Sequence, residues 1–278
     1  MIKNIVLCAD DYGQDKAISQ GILTLIHYGR ISAVSCLTNS SNWPEHAQWL
    51  FSFKGIVDTG LHFNLTQGTA LSSAWKKTYG EAFPPLPTIL RKAFLRNLSQ
   101  KVIEEECQTQ LDYFVQSMGK LPDFIDGHQH IHQFPVIRQA IIHVYERALR
   151  TNKTYVRLVR DPIHFSDWIS NIKKVIIHAT GSKAFEKLLL KHEIPHNPSF
   201  SGIYPFAQAA RYSHVFLQFL NKIQDGGIIM CHPGLASDAA NDPIAQVRHH
   251  EFQYLLSNQF LEDCRKKSVA IRRLSAII

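Results

Sequence analysis

Seven consecutive residues, Asp126-Gly127-His128-Gln129-His130-Ile131-His132, carry one carboxylate and three imidazoles. Imidazole is the commonest neutral metal ligand and the side chain best suited to moving protons near neutral pH. The run follows the apolar pair Phe124-Ile125 and is closed by Phe134-Pro135. A His/Asp cluster just beyond a short apolar run points to a metal or acid–base centre at a strand end. A solvent-exposed loop that is merely His-rich would have the same composition. If the chain stayed extended, residues 126, 128, 130 and 132 would share one face. Spacing does not say which of the three imidazoles would bind metal.

Other residues able to do chemistry stand far away in the chain: Asp10-Asp11, His62, Arg157, Arg160 and His232-Pro233-Gly234. Adjacent acids repel unless a cation or proton relieves them, although Asp is also an ordinary turn residue. Taken singly, His62 could be a satisfied half-buried imidazole and His232 part of a strand-ending turn. One carboxylate with two imidazoles, leaving positions open for water, is a hydrolytic metal site in outline. Such donors suit zinc, iron or manganese, and magnesium less naturally. A second carboxylate beside the ligand could act as general base, and a histidine opposite as general acid.

The elements that must position these residues can be read from hydrophobic periodicity. Apolar runs predict seven strands, over residues 5–9, 33–37, 55–61, 123–127, 155–159, 228–231 and 269–274. The first is apolar on both faces, as parallel strands are. Helical stripes fall over 16–28, 44–51, 99–118, 135–149, 168–178, 183–191, 212–222 and 245–267. Strands alternating with helices imply parallel pairing through right-handed crossovers, hence an α/β fold. The count suits a closed or nearly closed barrel better than a doubly wound open sheet. Asp10-Asp11, His62, Asp126/His128, Arg157/Arg160 and His232 then all lie at the C-terminal ends of strands. In a parallel barrel those ends share the face on which active sites are built. Two inserts, 67–97 and 163–210, are rich in Pro and Gly or only partly helical, and long inserts of this kind are commonly lids or binding elements.

Composition narrows the classes. The 278 residues suffice for one large core, and no composition break marks a linker, so one domain over 1–278 is expected. Hydrophobic residues make up 45% and charged residues 19%, which argues against disorder. No stretch reaches the roughly 18–20 uninterrupted apolar residues of a membrane span. The first apolar run ends in Asp10-Asp11, which reads as a strand and not as a signal peptide, so a cytoplasmic protein is expected. Cysteines 8, 36, 107, 231 and 264 form no CxxC pair, against a disulfide framework or a cysteine zinc site. The formal charge of +7 favours anionic partners. Its basic residues are dispersed, however, and no helix-turn-helix or RNP-like signal accompanies them, so no nucleic-acid groove is expected.

Four segments in order resemble the signatures of the YdjC-like carbohydrate deacetylases, which include chitooligosaccharide and hopanoid-associated deacetylases. They are Ala9-Asp10-Asp11-Tyr12-Gly13, Gly60-Leu61-His62-Phe63-Asn64-Leu65-Thr66, Asp126 through His132, and Cys231-His232-Pro233-Gly234. Tyr12 stands where that family commonly has phenylalanine, and Gln129 interrupts what can be a longer His run. The resemblance implies a distorted (β/α) barrel of about seven parallel strands, of the NodB-like deacetylase type. It also implies a divalent metal, usually magnesium, with Zn2+ or Mn2+ as alternatives, and often a homodimer. By position, Asp11, His62 and His128 correspond to metal ligands, Asp10 to the catalytic base and His232 to the distal acid. Arg157 or Arg160 corresponds to an arginine that orients the base. Residues 197–202 are more similar to the hopanoid-associated branch. The expected activity is removal of acetyl from an N-acetylated amino sugar, on an oligosaccharide or a glycolipid. A metal-dependent phosphoesterase on a related barrel, or a non-catalytic polyanion-binding protein, are the alternatives.

Overall fold

The computed structural model describes residues 1–160, 181–237 and 242–277. Strand β1 (Lys3–Tyr12) is buried from Ile5 onward because its neighbours cover both of its faces. Seven further strands follow: β2 (Ala33–Cys36), β3 (Asp58–Phe63), β4 (Phe124–Gly127), β5 (Tyr155–Val156), β6 (Phe200–Ser201), β7 (Ile228–Cys231) and β8 (Val269–Ile271). Every pairing between them is parallel. The sheet order is β5-β4-β3-β2-β1-β7-β6, with β8 against the first residues of β1. Among the described residues this order runs consecutively around a ring whose seam lies between β5 and β6. It is the order of a distorted barrel, not of a doubly wound sheet.

Alternation along the strands divides the core in two. Ile5, Leu7 and Ala9 belong to a large cluster shared with the helices. Val6 belongs to a smaller cluster with Ala33, Phe124, Tyr155, Phe200 and Ile228, one residue from each of six strands. Such residues can meet only inside a curled sheet, so this cluster is the barrel interior. It is tightly filled: a methyl group on Gly60 would run into the Phe124 ring.

The helices surround the sheet: α1 (Lys16–His27), α2 (Trp43–Trp49), α3 (Ser73–Tyr79), α4 (Leu86–Phe94), α5 (Gln100–Met118), α6 (Ile137–Val144), α7 (Ser182–Lys191), α8 (Tyr212–Lys222), α9 (Ala245–Leu256) and α10 (Asn258–Lys266). Their ends follow local chemistry. Asp15 caps α1 by accepting from the Ala17 N–H, and Ser99 caps α5 from Val102. Gly119, at φ 64°, ends α5 in the left-handed region that glycine enters without strain. Insert 67–97 supplies α3 and α4. It is tethered where the buried Glu106 carboxylate of α5 accepts the Leu71 and Ser72 N–H groups, at 3.0 and 2.8 Å.

Three details differ from the periodicity reading. The helix expected over 135–149 is α6 followed by a π turn, Tyr145–Leu149. Strand β5 is two residues long, not five, and β6 was hidden in a Pro/Ser/Gly-rich segment. The cause of both is the ring's incomplete seam. The Val156 N–H donates to the Pro195 carbonyl at 2.8 Å, and the Asn197 side chain then replaces a strand. Its amide oxygen accepts the Leu158 N–H at 2.8 Å, while its NH2 donates to the Leu158 and Ser199 carbonyls at 2.9 and 2.8 Å. The expected helix over 168–178 lies outside the described residues.

Asn197→Ala should leave buried main-chain groups at the seam without partners. A loss of about 1–3 kcal/mol in urea-unfolding free energy is expected, and an unchanged midpoint would mean that the seam is held elsewhere.

Candidate active site

Successive side chains of a regular strand point to opposite faces. Asp10 and Asp11 nevertheless both line one cleft. The β1–β2 register slips between Ala9 and Tyr12, and Asp11 takes a φ of 69°. This bulge turns two adjacent carboxylates toward the same space, a use of bulges common beside active sites.

Strand register brings the next groups in. His62 of β3 lies opposite Asp126 of β4. Its Nδ1 is 2.6 Å from Asp126 Oδ1, which also accepts the Ser35 hydroxyl at 2.6 Å. With Nδ1 engaged, Nε2 points to the cleft, 3.4 Å from Asp11 Oδ1. His128, directly after β4, brings its Nδ1 to 3.0 Å from the same Asp11 oxygen and 3.4 Å from His62 Nε2. Thus Asp11, His62 and His128 offer three buried donor atoms that converge on one point.

These residues fit a divalent cation. Donors about 2.1 Å from one ion and roughly 90–110° apart are about 3.0–3.4 Å from each other. Those are the separations seen here. Charge points the same way. Among the described residues, Asp10, Asp11, Asp126 and Asp242 are matched by two guanidinium groups, Arg157 and Arg248, which leaves two formal negative charges. Burial alone would lower the His62 imidazole, but Asp126 and Asp10 outweigh it and carry it up to about 10. The surroundings therefore demand positive charge at this position.

Each member of the acid pair has its own arginine. Arg157, just past β5 and fully buried, grips Asp10 with both terminal nitrogens at 2.7 and 2.8 Å. Its Nη1 also lies 3.0 Å from Asp126 Oδ2. A second acidic group, Cys8 with Asp10 and Asp126, is therefore already filled by this guanidinium and is not a metal site. Arg248 of α9 donates to Asp11 Oδ2 at 2.9 Å and to Asp242 at 2.7 Å. Against the upward push of burial, Arg248 and His128 hold the Asp11 carboxyl well below its ordinary range. Asp11 thereby keeps Oδ1 for the metal position.

His232, directly after β7, lines the same cleft. Burial draws its imidazole down to about 4, although Asp11 and Asp10 oppose this. The cleft encloses about 370 Å³, within the range of small-molecule sites. The rest of its wall is largely apolar, with Leu86 and Leu90 of α4, Phe134, Ile203, Phe206 and Ile244.

Two expectations need correction. The chain does not stay extended after Asp126. Residues His128–Gln133 form a tight helical turn with Gln129 and His130 at φ 54° and 60°. The three imidazoles therefore fan out. His128 joins Asp11 and His62, whereas His130 lies against the Phe200 ring, its basicity suppressed by burial and Arg157. His132 turns away and donates to the Arg157 carbonyl at 2.8 Å, with burial drawing it down to about 4. Arg160, three residues beyond Arg157 on a chain already leaving the barrel, is half exposed and pairs with Glu186. It does not reach the site.

Sequence reasoning passed over Ser35, Arg248 and Glu251, and gave Asp126 no distinct role. Two of these, Arg248 and Glu251, left a usable signal. Val247, Glu251 and Leu255 recur at helical spacing, as do Arg248, Phe252 and Leu255, so two charges sit on the buried stripe of α9.

A sequence model of the YdjC-like protein family matches residues 4–266. The chitooligosaccharide deacetylase of Serratia marcescens is 32% identical over 137 residues, 49% of this chain and 53% of that protein. The carbohydrate deacetylase of Homo sapiens is 28% identical over 165 residues, 57% of this chain and 48% of that protein. The chain thus spans about half the length of the curated relatives it matches. Among solved structures, a protein of Enterococcus faecalis V583, provisionally named for cellobiose-phosphate cleavage, aligns with a TM-score of 0.77 at 16% identity. That alignment covers 100% of this chain and 99% of the other. The Xyl-CE4 domain of a xylanase from the hindgut metagenome of Trinervitermes trinervoides gives 0.50 at 12% identity, covering 100% and 90%. At such identities the two structures share the fold.

His62 makes the metal-free site sensitive to alkali. Its folded pKa, about 10, lies above its ordinary 6.5. Its stabilising contribution is complete below pH 6.5 and is lost as pH rises toward 10. Chelator-treated protein should lose more stability across that window than its His62→Gln variant, measured by urea unfolding at each pH. Parallel curves would remove His62 as a charged group.

Proposed function

Because the chain belongs to the YdjC-like protein family, we propose that it is a metal-dependent carbohydrate deacetylase, a hydrolase that removes acetyl from N-acetylated amino sugars. The observation that carries this reading is the convergence of Asp11, His62 and His128 beside a fourth group, Asp10, held by its own arginine.

Asp11 Oδ1, His62 Nε2 and His128 Nδ1 would hold the divalent cation. Magnesium is favoured by family resemblance, while the two nitrogen donors also suit zinc or manganese. When bound, the ion polarises the acetyl carbonyl and acidifies water. Asp10 takes the proton from the attacking water. Both of its oxygens accept from Arg157, and Oδ1 also accepts from the Cys8 thiol at 3.6 Å, so Oδ2 is the oxygen that keeps a second lone pair for this purpose. Arg157 fixes the plane of that carboxylate and so the direction from which the proton is accepted. Asp126, with Ser35, holds His62 so that Nε2 stays turned to the cleft.

As the C–N bond breaks, the departing amine needs a proton, since amines leave poorly without one. His232 is the imidazole that faces the cleft from β7, and it delivers that proton. Burial favours its neutral form in the resting site, so it takes up its proton during turnover, and the proton that Asp10 removes from the water balances the one given to the amine. The sugar would lie over the apolar wall, where Phe134 and Phe206 can pack against ring faces. The proposal also includes a homodimer, from family resemblance, and a cytoplasmic location, from the reading of the sequence. No helix among the described residues is long and apolar enough to cross a membrane.

The deciding measurement is acetate release from N-acetylglucosamine oligomers by purified protein, before and after chelation, with magnesium, manganese and zinc restored separately. Chelator-sensitive release is expected. Phosphate release from phosphorylated sugars without any acetate release would overturn the reading in favour of a phosphoesterase.

Roles separate in variants. Asp10→Asn should lower kcat by roughly 10²–10⁴-fold with metal binding retained in calorimetric titration. His128→Ala should lose metal and activity together. A normal kcat in Asp10→Asn would remove it as the base.

A further inference from the structure

Helix α9 sends a second side chain to the site, one that the scheme above does not use. Glu251 is fully buried, about one turn beyond Arg248. Its Oε2 accepts the His232 main-chain N–H at 2.5 Å, and its Oε1 accepts the Tyr204 hydroxyl at 2.6 Å. His232 is the first residue past β7, beyond the last rung of the β1–β7 ladder at Cys231. Its amide is therefore met by a side chain where a strand would otherwise serve. The imidazole has little hold of its own. Its Nδ1 is buried without a hydrogen-bond partner among the described residues, and the Phe206 ring stands edge-on at 6.2 Å.

We infer that Glu251 is a positioning residue for His232, fixing the first amide past β7 so that the imidazole faces Asp10 and the metal position. The inference rests on the deacetylase reading only for the use of His232 as proton donor. A merely satisfied buried acid would need no partner on the catalytic loop, since Tyr204 and the neighbouring Arg248 already lie beside it. Burial lifts Glu251 to about 7, against the pull of Tyr204 and the His232 N–H. An N–H can be accepted by either protonation form, and a glutamine imitates the neutral one.

Three variants test this in the full chain. Glu251→Met keeps the volume and removes the acceptor. Glu251→Asp keeps the charge but withdraws it by one methylene, and serves if the Met variant fails to fold. Glu251→Gln retains an accepting oxygen. With N-acetylglucosamine oligomers, the Met and Asp variants should lose about 10- to 100-fold in kcat, the scale of a misplacement of about 1 Å. Their KM and their manganese affinity should stay within about twofold, and Gln should restore most of the rate. Independently of substrate, the His232 ring resonance, assigned with His232→Asn, should shift or broaden in Met and Asp but not in Gln. An unmoved resonance, or an unchanged kcat, in the Met and Asp variants overturns the inference. If the wild type releases no acetate, the deacetylase reading fails on its own, while the resonance still decides whether Glu251 holds His232.

Discussion

The bidentate contact between Arg157 and Asp10 is the constraint on which the rest of the site depends. Removing one partner from a buried ion pair costs about 3–5 kcal/mol, because the other charge is left without solvent. Asp10 and Asp126 are both fully enclosed at the end of the barrel. One guanidinium spans them, touching Asp10 with both terminal nitrogens and approaching Asp126 with one. Its planar fork matches a carboxylate in a way that the point charge of a lysine does not. The cation–π contact of Arg157 with the Phe200 ring, at 5.8 Å, closes the space behind it.

Charge is otherwise divided in two. Arg157 serves Asp10, which leaves that carboxylate out of the metal position. Arg248 serves one oxygen of Asp11, which leaves the other oxygen in it. Adjacent acids in a sequence would ordinarily compete for the same cation. The bulge in β1 separates them, so that each meets a different arginine, one from the barrel and one from α9. The candidate donor set for a divalent cation is thus the remaining Asp11 oxygen with the two imidazoles.

The barrel was largely legible because parallel strands buried on both faces write continuous apolar runs, and each run is followed by a helix. Residues 228–231 match β7 end to end, and 212–222 match α8. What escaped was the seam. Strands β5 and β6 have two residues each, below any period that can be counted, and they are joined by a main-chain bond from Val156 to Pro195 and by one asparagine side chain. The clustering of Asp10, Asp11, His62, His128, Arg157 and His232 was legible for the same reason: each lies at a strand end, and parallel strand ends share a face.

The sequence by itself determined that these groups would meet, since strand order and parallel direction follow from apolar runs and helical stripes. Only the tertiary structure decided which atom faces which. It separated Arg157 from Arg160, because the chain leaves the barrel between them, and His128 from His130 and His132, because a tight turn replaces the extended chain after β4. It also brought in Arg248 and Glu251 from a helix more than two hundred residues beyond Asp11. The physical reason is one of range. Periodicity reports burial along one element, whereas a buried charge is satisfied by whichever partner the packed chain brings within about 3 Å, however distant in sequence.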